Sequence, residues 1–348
     1  MKIDDLLHRG SEWLNSKGPR SECVISSRVR LARNIEKMPF FNRANPPAKK
    51  RIMEIARACV EKSKILKAAS FIPMKSVTDL DRKFLVERHL MSPEHMADPE
   101  FKAVVLDENE VVSIMVNEED HFRLQVLQSG FNMQNAWKLA DEIDTELSGM
   151  VSFAFSQKWG YLTACPTNVG TGLRGSVMLH LPALAMTGQL GRVFQAILKL
   201  GLTMRGLYGE GTEATGDFFQ ISNQVTLGHS EPDLIGNIEA VINKVIMRET
   251  STRGMLLEKN REELTDKIWR ALGTLKNARI MSSTETITLL STVRLGVDVG
   301  VIKDIPLGTV NELFMLMQPA HLQKLSGKIL SPQDRDQMRA ALIRDKIK

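Results

Sequence analysis

Cysteine is scarce in this 348-residue chain: Cys23, Cys59 and Cys165 stand alone, with no Cys-x-x-Cys spacing. An odd, scattered set of thiols argues against a disulfide framework and against a cysteine-based zinc site. Aromatic residues are only 5% of the chain, and none interleave with basic residues in a nucleic-acid-binding motif, so no nucleic-acid partner is expected. No apolar stretch approaches a membrane span, and Met1-Lys2-Ile3-Asp4-Asp5 has no signal-peptide core, so no membrane association is expected either. There are no internal repeats and no low-complexity tracts. A glycine-rich loop is present, but no Gly-Lys-Ser/Thr follows it, which excludes a Walker A site. These absences leave a cytoplasmic enzyme as the expectation.

What is present is an apolar fraction of 43%, enough for a large core and two domains. The formal charge of +5 leans toward anionic ligands without naming one. The apolar run Val111 to Val116 reads as a buried strand that ends in Asn117-Glu118-Glu119-Asp120-His121-Phe122-Arg123. A strand that opens into a charged loop is a common seat for binding chemistry; a plain solvated turn is the alternative.

Upstream, Cys23 to Arg33 is a strand carrying Arg28 and Arg30 two residues apart, hence on one face. Neighbouring guanidinium groups repel unless an anion lies between them, and polyphosphate is a good candidate. Helical spacing covers Pro46 to about Ala69 and, through Ala136, Ala140, Ile143 and Leu147, a helix ending near Gly149. His89 closes a short segment and either packs there or touches a ligand. Residues 151–163 read as a hairpin.

The loop Ala164 to Gly172 then precedes an expected helix from about Leu173 to Leu184. A helix N-terminus there would favour anions and depress the Cys165 thiol. A helix from Val193 to Leu202 leads to the loop Met204 to Glu213, with Arg205, Glu210 and Glu213, and Phe218 to Ser222 restores strand character. Ser230-Glu231-Pro232-Asp233 is a strong helix start. Beyond it the chain reads as nearly all helix, at about 255–275, 283–294, 308–316 and 332–346. We therefore expect an α+β fold: a catalytic domain over 1–230 with an antiparallel sheet flanked by helices, and a helical C-terminal domain over 231–348.

Arg28, Arg30, Arg123, Arg174 and Arg205 together suit a triphosphate and the charge on a phosphoryl group in flight. Glu119, Glu210 and Cys165 suit a cationic acceptor, and a carboxylate is the natural base for a guanidinium nitrogen.

Four segments carry a specific resemblance: Ser27 to Arg30, Asn117 to Arg123, Cys165 to Arg174, and Arg205-Gly206-x-x-Gly209-Glu210. Their sequence and order resemble the phosphagen (ATP:guanido) kinases across roughly residues 20–231. The resemblance implies a glutamine-synthetase-like catalytic fold and ATP phosphates held by the five arginines. Ser27, Val29 and Leu31 would flank the first pair, and Gly175, Ser176, Val177 and Met178 would follow Arg174. Gly206, Leu207, Tyr208 and Gly209 would follow Arg205, with His89 near the nucleotide. Glu119 and Glu210 would grip the acceptor, one of them as base, with Cys165 beside it as an electrostatic partner. Mg²⁺ would be held by ATP and water, with no protein metal site.

The small-molecule kinases of that family carry about a hundred residues before the first arginine strand, a typical small-domain length. Here barely two dozen precede it. The chain is similar instead to bacterial protein-arginine kinases of the McsB type. Arg335-Asp336-Gln337-Met338-Arg339-Ala340 resembles that subfamily's phosphoarginine pocket, with Arg335, Asp336, Arg339 and Ala340 as its residues. The implied partners are proteins with exposed arginines, an activator protein, Clp-type degradation machinery and a second copy in a homodimer. A kinase for free arginine or another small guanidino compound is the alternative, and a non-catalytic phosphoarginine-binding adaptor is a more distant one.

Overall fold

The computed structural model describes residues 3–206 and 215–347. Its centre is an antiparallel sheet of eight strands, built from β1 (Val24–Arg33), β2 (Ser70–Pro73), β3 (Ala103–Leu106), β4 (Val112–Val116) and β5 (Phe122–Ser129). A separate short hairpin, β6 (Phe155–Ser156) and β7 (Gly160–Tyr161), comes next. The large sheet is completed by β8 (Leu173–His180), β9 (Leu202–Gly206) and β10 (Phe218–Asn223), in the order β2-β3-β4-β5-β1-β8-β10-β9. The arginine-bearing β1 is therefore an interior strand with a neighbour on each side.

Helices α1 (Pro46–Lys62), α2 (Asp79–Glu87), α3 (Pro93–Met96) and α4 (Met133–Ser148) belong to the first half. They are followed by α5 (Pro182–Met186), α6 (Leu190–Lys199) and α7 (Glu231–Lys259). The last segment contains α8 (Arg261–Asn277), α9 (Ser283–Asp298), α10 (Leu307–Leu316), α11 (Pro319–Ser326) and α12 (Pro332–Lys346). Their starts are written in local chemistry. Ser230, Ser282 and Ser331 each accept a hydrogen bond from the backbone N–H three residues on, satisfying an otherwise orphaned donor. None of the described helices is long and apolar enough to cross a membrane.

One face of the sheet is apolar. Val29, Leu31, Leu124, Val126, Val177, Leu179 and Ile221 pack there against Ala136, Ala140, Ile143 and Leu147 of α4. Ile235, Ile238, Ile242 and Ile246, on the first half of α7, complete that core. The change of character at 230 is thus a change of secondary structure, while the core continues across it. A second core joins α8, α9, α10 and α12 to Trp13, Ile25, Leu127 and Phe218, near one end of the opposite sheet face.

The expected helix over Leu173–Leu184 is replaced by strand β8 and the short α5. Leu173, Gly175, Val177 and Leu179 alternate into the core while Arg174, Ser176 and Met178 face outward, a period of two. Pairing with β1 on one side and β10 on the other fixes that choice. Similarly, α1 stops at Lys62, and Leu202 starts a strand where a helix end was expected.

Gly175 lets α7 approach the sheet: a Cβ there would meet Ile238 Cδ1 at 2.6 Å and Met133 Cε at 3.0 Å. Gly175→Val should overpack this contact and cost about 1–3 kcal/mol in urea unfolding. An unchanged unfolding midpoint would show that α7 does not seat against β8 in this way.

Candidate active site

Strand register assembles the arginine set. Residues directly opposite in an antiparallel pair project from the same face. Arg30 lies opposite Gln125 and Arg174, Ala32 opposite Arg123, Arg28 opposite Leu127 and Ser176, and Arg205 opposite Gln220. Arg28, Arg30, Arg123, Arg174 and Arg205 therefore share the face away from the apolar core. Ser176, Met178 and Gln220 join them there. Ser27, Val29, Leu31, Gly175 and Val177 turn the other way. The Ser27 hydroxyl is spent on the backbone of Gly130 and Asn132, so these five residues space the array and their side chains face away from it.

The array is electrostatically loaded. Burial first, and then Arg123 and Arg174, push the Arg28 guanidinium down to about 10. Arg30 is held well below its ordinary value by burial, then by Arg28, Arg123 and Arg174. Arg174 is lowered by burial and by Arg205 and Arg123. Arg28 donates to Ser176 Oγ (3.2 Å) and Gln220 Oε1 (2.7 Å). The Nε–H groups of Arg30 and Arg174 are buried with no partner among the described residues. Packed like charges with unspent donors match a polyphosphate, which supplies both the opposite charge and the acceptors.

The acidic turn splits into three roles by burial. Glu118 accepts from Arg123 Nη1 at 2.5 Å and from Ser92 Oγ at 2.7 Å. Burial pushes the Glu118 carboxyl up, but Arg123 and these bonds outweigh it and leave it below its ordinary range. Burial likewise pushes Arg123 down, and the acids outweigh it in the other direction. Asp120, 1% exposed, accepts from Asn34 Nδ2 at 2.6 Å and from the Ala164 backbone N–H at 2.7 Å. Asn34 also donates to the Leu162 carbonyl at 3.0 Å. Glu119 alone is exposed, its carboxyl raised by partial desolvation and then by Asp120.

Asp120 thus ties the turn bearing Glu119 to the residue before Cys165. Arg33 holds the other end of that loop. It donates to the Thr171 carbonyl at 2.8 Å, lies 3.5 Å over the Tyr161 ring and pairs with Asp144. Cys165 is partly exposed, with Sγ 3.0 Å from Thr167 Oγ1, and is near enough to Arg174 for their charges to interact. The expected helix dipole behind the thiol is absent, because a three-residue turn, Pro166–Asn168, and then β8 follow it. Asn34, Arg33 and Ser92 carry no motif signature. The one visible signal is that Arg33 is the last residue of the arginine strand and Asn34 the next.

His89 adopts a left-handed backbone (φ 59°), with its carbonyl held by Gln125 Nε2 at 2.7 Å. Burial, and then Arg28, lower its imidazole to about 4, so the ring is neutral. Arg205 is exposed near the end of β9, beside Gly206. Leu207, Tyr208, Gly209 and Glu210 lie outside the described residues, as does Glu213. On α12, Arg339 is 1% exposed and gives Nε to the Met317 carbonyl and Nη1 to Met281 and Asp336. Arg335 is half-buried one turn away, and Ala340 is buried. Among the described residues, no three His, Cys, Asp or Glu side chains cluster to hold a metal.

Two family models match the chain. One is the ATP:guanido phosphotransferase C-terminal catalytic domain, over residues 51–252. The other is the protein-arginine kinase McsB C-terminal domain, over 261–348. The protein-arginine kinase of Halothermothrix orenii is 47% identical over 348 residues, covering 100% of this chain and 99% of that one. The protein-arginine kinase of Bacillus cereus is 43% identical over 351 residues, again covering 100% and 99%. Among solved structures, a lombricine kinase superposes with a TM-score of 0.60 at 24% identity, over 70% of this chain and 71% of that one. A duplicated taurocyamine kinase from Schistosoma mansoni gives 0.61 at 21%, over 87% and 50%. At such identities the likeness concerns the fold.

Removing the Asp120 clasp should loosen the Cys165 segment. Because Cys23 and Cys59 are buried, alkylation by iodoacetamide reports on Cys165. Asp120→Ala should speed it severalfold, with Asp120→Asn intermediate. Equal rates in all three proteins would show that the clasp does not hold the loop.

Proposed function

This chain belongs to the ATP:guanido phosphotransferase family, and from that premise we infer that it is a protein-arginine kinase. It moves the γ-phosphoryl group of ATP to a guanidino nitrogen of arginine side chains in proteins. The observation that carries this reading is the four-strand arginine face, joined through Arg123–Glu118 to a turn that presents Glu119.

In this reading Arg28, Arg30, Arg123, Arg174 and Arg205 bind the triphosphate and hold its charge as the phosphoryl group leaves. Glu119 receives the acceptor guanidinium beside Cys165, and Glu210 is assigned to the same task. A carboxylate takes the proton lost from the attacking nitrogen. Mg²⁺ belongs with the nucleotide: a cationic face does not suit a bare dication, whereas a phosphate-bound ion with its waters fits.

We assign catalysis to residues 1–230, and dimerisation and phosphoarginine binding to 231–348. On α12, Arg335, Asp336, Arg339 and Ala340 are the residues we assign to phosphoarginine, as an allosteric ligand. The same reading places the enzyme in the cytoplasm, where ATP and reduced thiols are maintained, with an activator protein and Clp-type degradation machinery as its partners.

The test is incubation with Mg-ATP and either casein or free L-arginine, analysed by mass spectrometry without acid. Phosphoarginine should appear in the protein. Label confined to free arginine would favour a small-molecule kinase. Arg174→Ala should lower protein labelling by at least about 10²-fold, the order expected for losing one donor to transition-state charge. Labelling within twofold of wild type would remove Arg174 from the site.

A further inference from the structure

The hairpin β6–β7 leaves two large rings in solvent: Phe155 is 58% and Trp159 46% exposed. With Tyr161, Gly170 and Leu227, the last 42% exposed, they line an open groove of about 280 Å³. An apolar patch of this kind on a folded surface marks a place where another molecule binds. Phe155 and Trp159 have the size to anchor it, since aromatic side chains carry much of the energy of protein interfaces.

The groove is built as one unit with the Cys165 loop. The Tyr161 N–H donates to the Gly170 carbonyl at 2.8 Å, and the Gly170 N–H donates back to the Tyr161 carbonyl at 3.3 Å. Gly160 makes this approach possible: its φ is 73°, and a Cβ there would run into the Gly170 carbonyl. Phe155 stands edge-on to Tyr161, with centroids 5.3 Å apart. Thr226 Oγ1 lies 3.0 Å from the Thr167 carbonyl oxygen and 2.7 Å from that of Val169, which ties the segment bearing Leu227 to the same loop.

Place identifies the occupant. Cys165 is four residues beyond Tyr161, and Asp120 joins the same loop to the turn that presents Glu119. A polypeptide that offers an arginine side chain to Glu119 and Cys165 lays its flanking residues over the neighbouring surface, where four extended residues reach at most roughly 14 Å. We propose that the groove docks the substrate polypeptide itself, taking an aliphatic or aromatic side chain within about four residues of the target arginine. This rests on reading Glu119 and Cys165 as the acceptor side. The patch is continuous with that side, which has to meet a polypeptide in any case. Free arginine has no flanking residue and gains nothing from the groove.

The test uses two peptides with a single central arginine, identical except for leucine or serine about three positions to either side of it. With the full chain and Mg-ATP, the leucine peptide should be phosphorylated with a kcat/KM about tenfold higher, as expected for one apolar anchor, and the difference should lie in KM. Trp159→Ser and Phe155→Ser should each erase that preference and leave the serine peptide unchanged; either variant carries the test if the other does not fold. No preference in the wild type, a preference that survives both variants, or equal losses on both peptides would overturn the proposal. So would a change in solution mass on Trp159→Ser, which would assign the patch to a second copy of the chain. Glu119→Gln that labels both peptides at the wild-type rate would instead remove the acceptor side on which the proposal rests.

Discussion

Guanidinium groups crowded on one face of a sheet repel one another, and the rest of the molecule is arranged to hold them there. Arg28 and Arg30 sit on an interior strand, where register leaves no freedom to splay them apart. Moving either to the other face would require a one-residue slip that drives Val29 and Leu31 out of the core. The apolar layer of α4 and α7 makes that slip prohibitive. Buried like charges are stable only when the surrounding packing over-determines them, and they leave a site preorganised for a polyanion.

The neighbouring acids show how burial assigns different work to similar side chains. Glu118 and Asp120 are both nearly sealed, but they face different partners. Glu118 binds the turn to the arginine face through Arg123, and Asp120 binds it to the segment before Cys165. Glu119, between them, is exposed. A seven-residue stretch, Asn117 to Arg123, thereby links the arginine face to the segment before Cys165.

Much of this was legible in the chain. The alternation around Arg28 and Arg30, the apolar run before Asn117 and the helix start at Ser230 each have a local cause that reads directly. Leu173 to His180 does not read as a strand in the sequence because Gly175 and Ser176 weaken the alternation, and only pairing with distant β1 and β10 makes it one. The Asn34–Asp120–Ala164 clasp could not be read, because it joins residues 86 and 44 positions apart that have no shared motif.

If the array is a repulsive cluster awaiting an anion, removing one charge should relieve the free protein and disable the ligand-bound one. Arg30, whose Nε–H has no partner among the described residues, is the place to test it. Thermal unfolding of Arg30→Met and wild type, each with and without Mg-ATP, gives four midpoints. The account predicts a higher midpoint for the variant without nucleotide, and loss of most of the rise that ATP gives wild type. A variant that is less stable alone yet gains as much from ATP as wild type would contradict it.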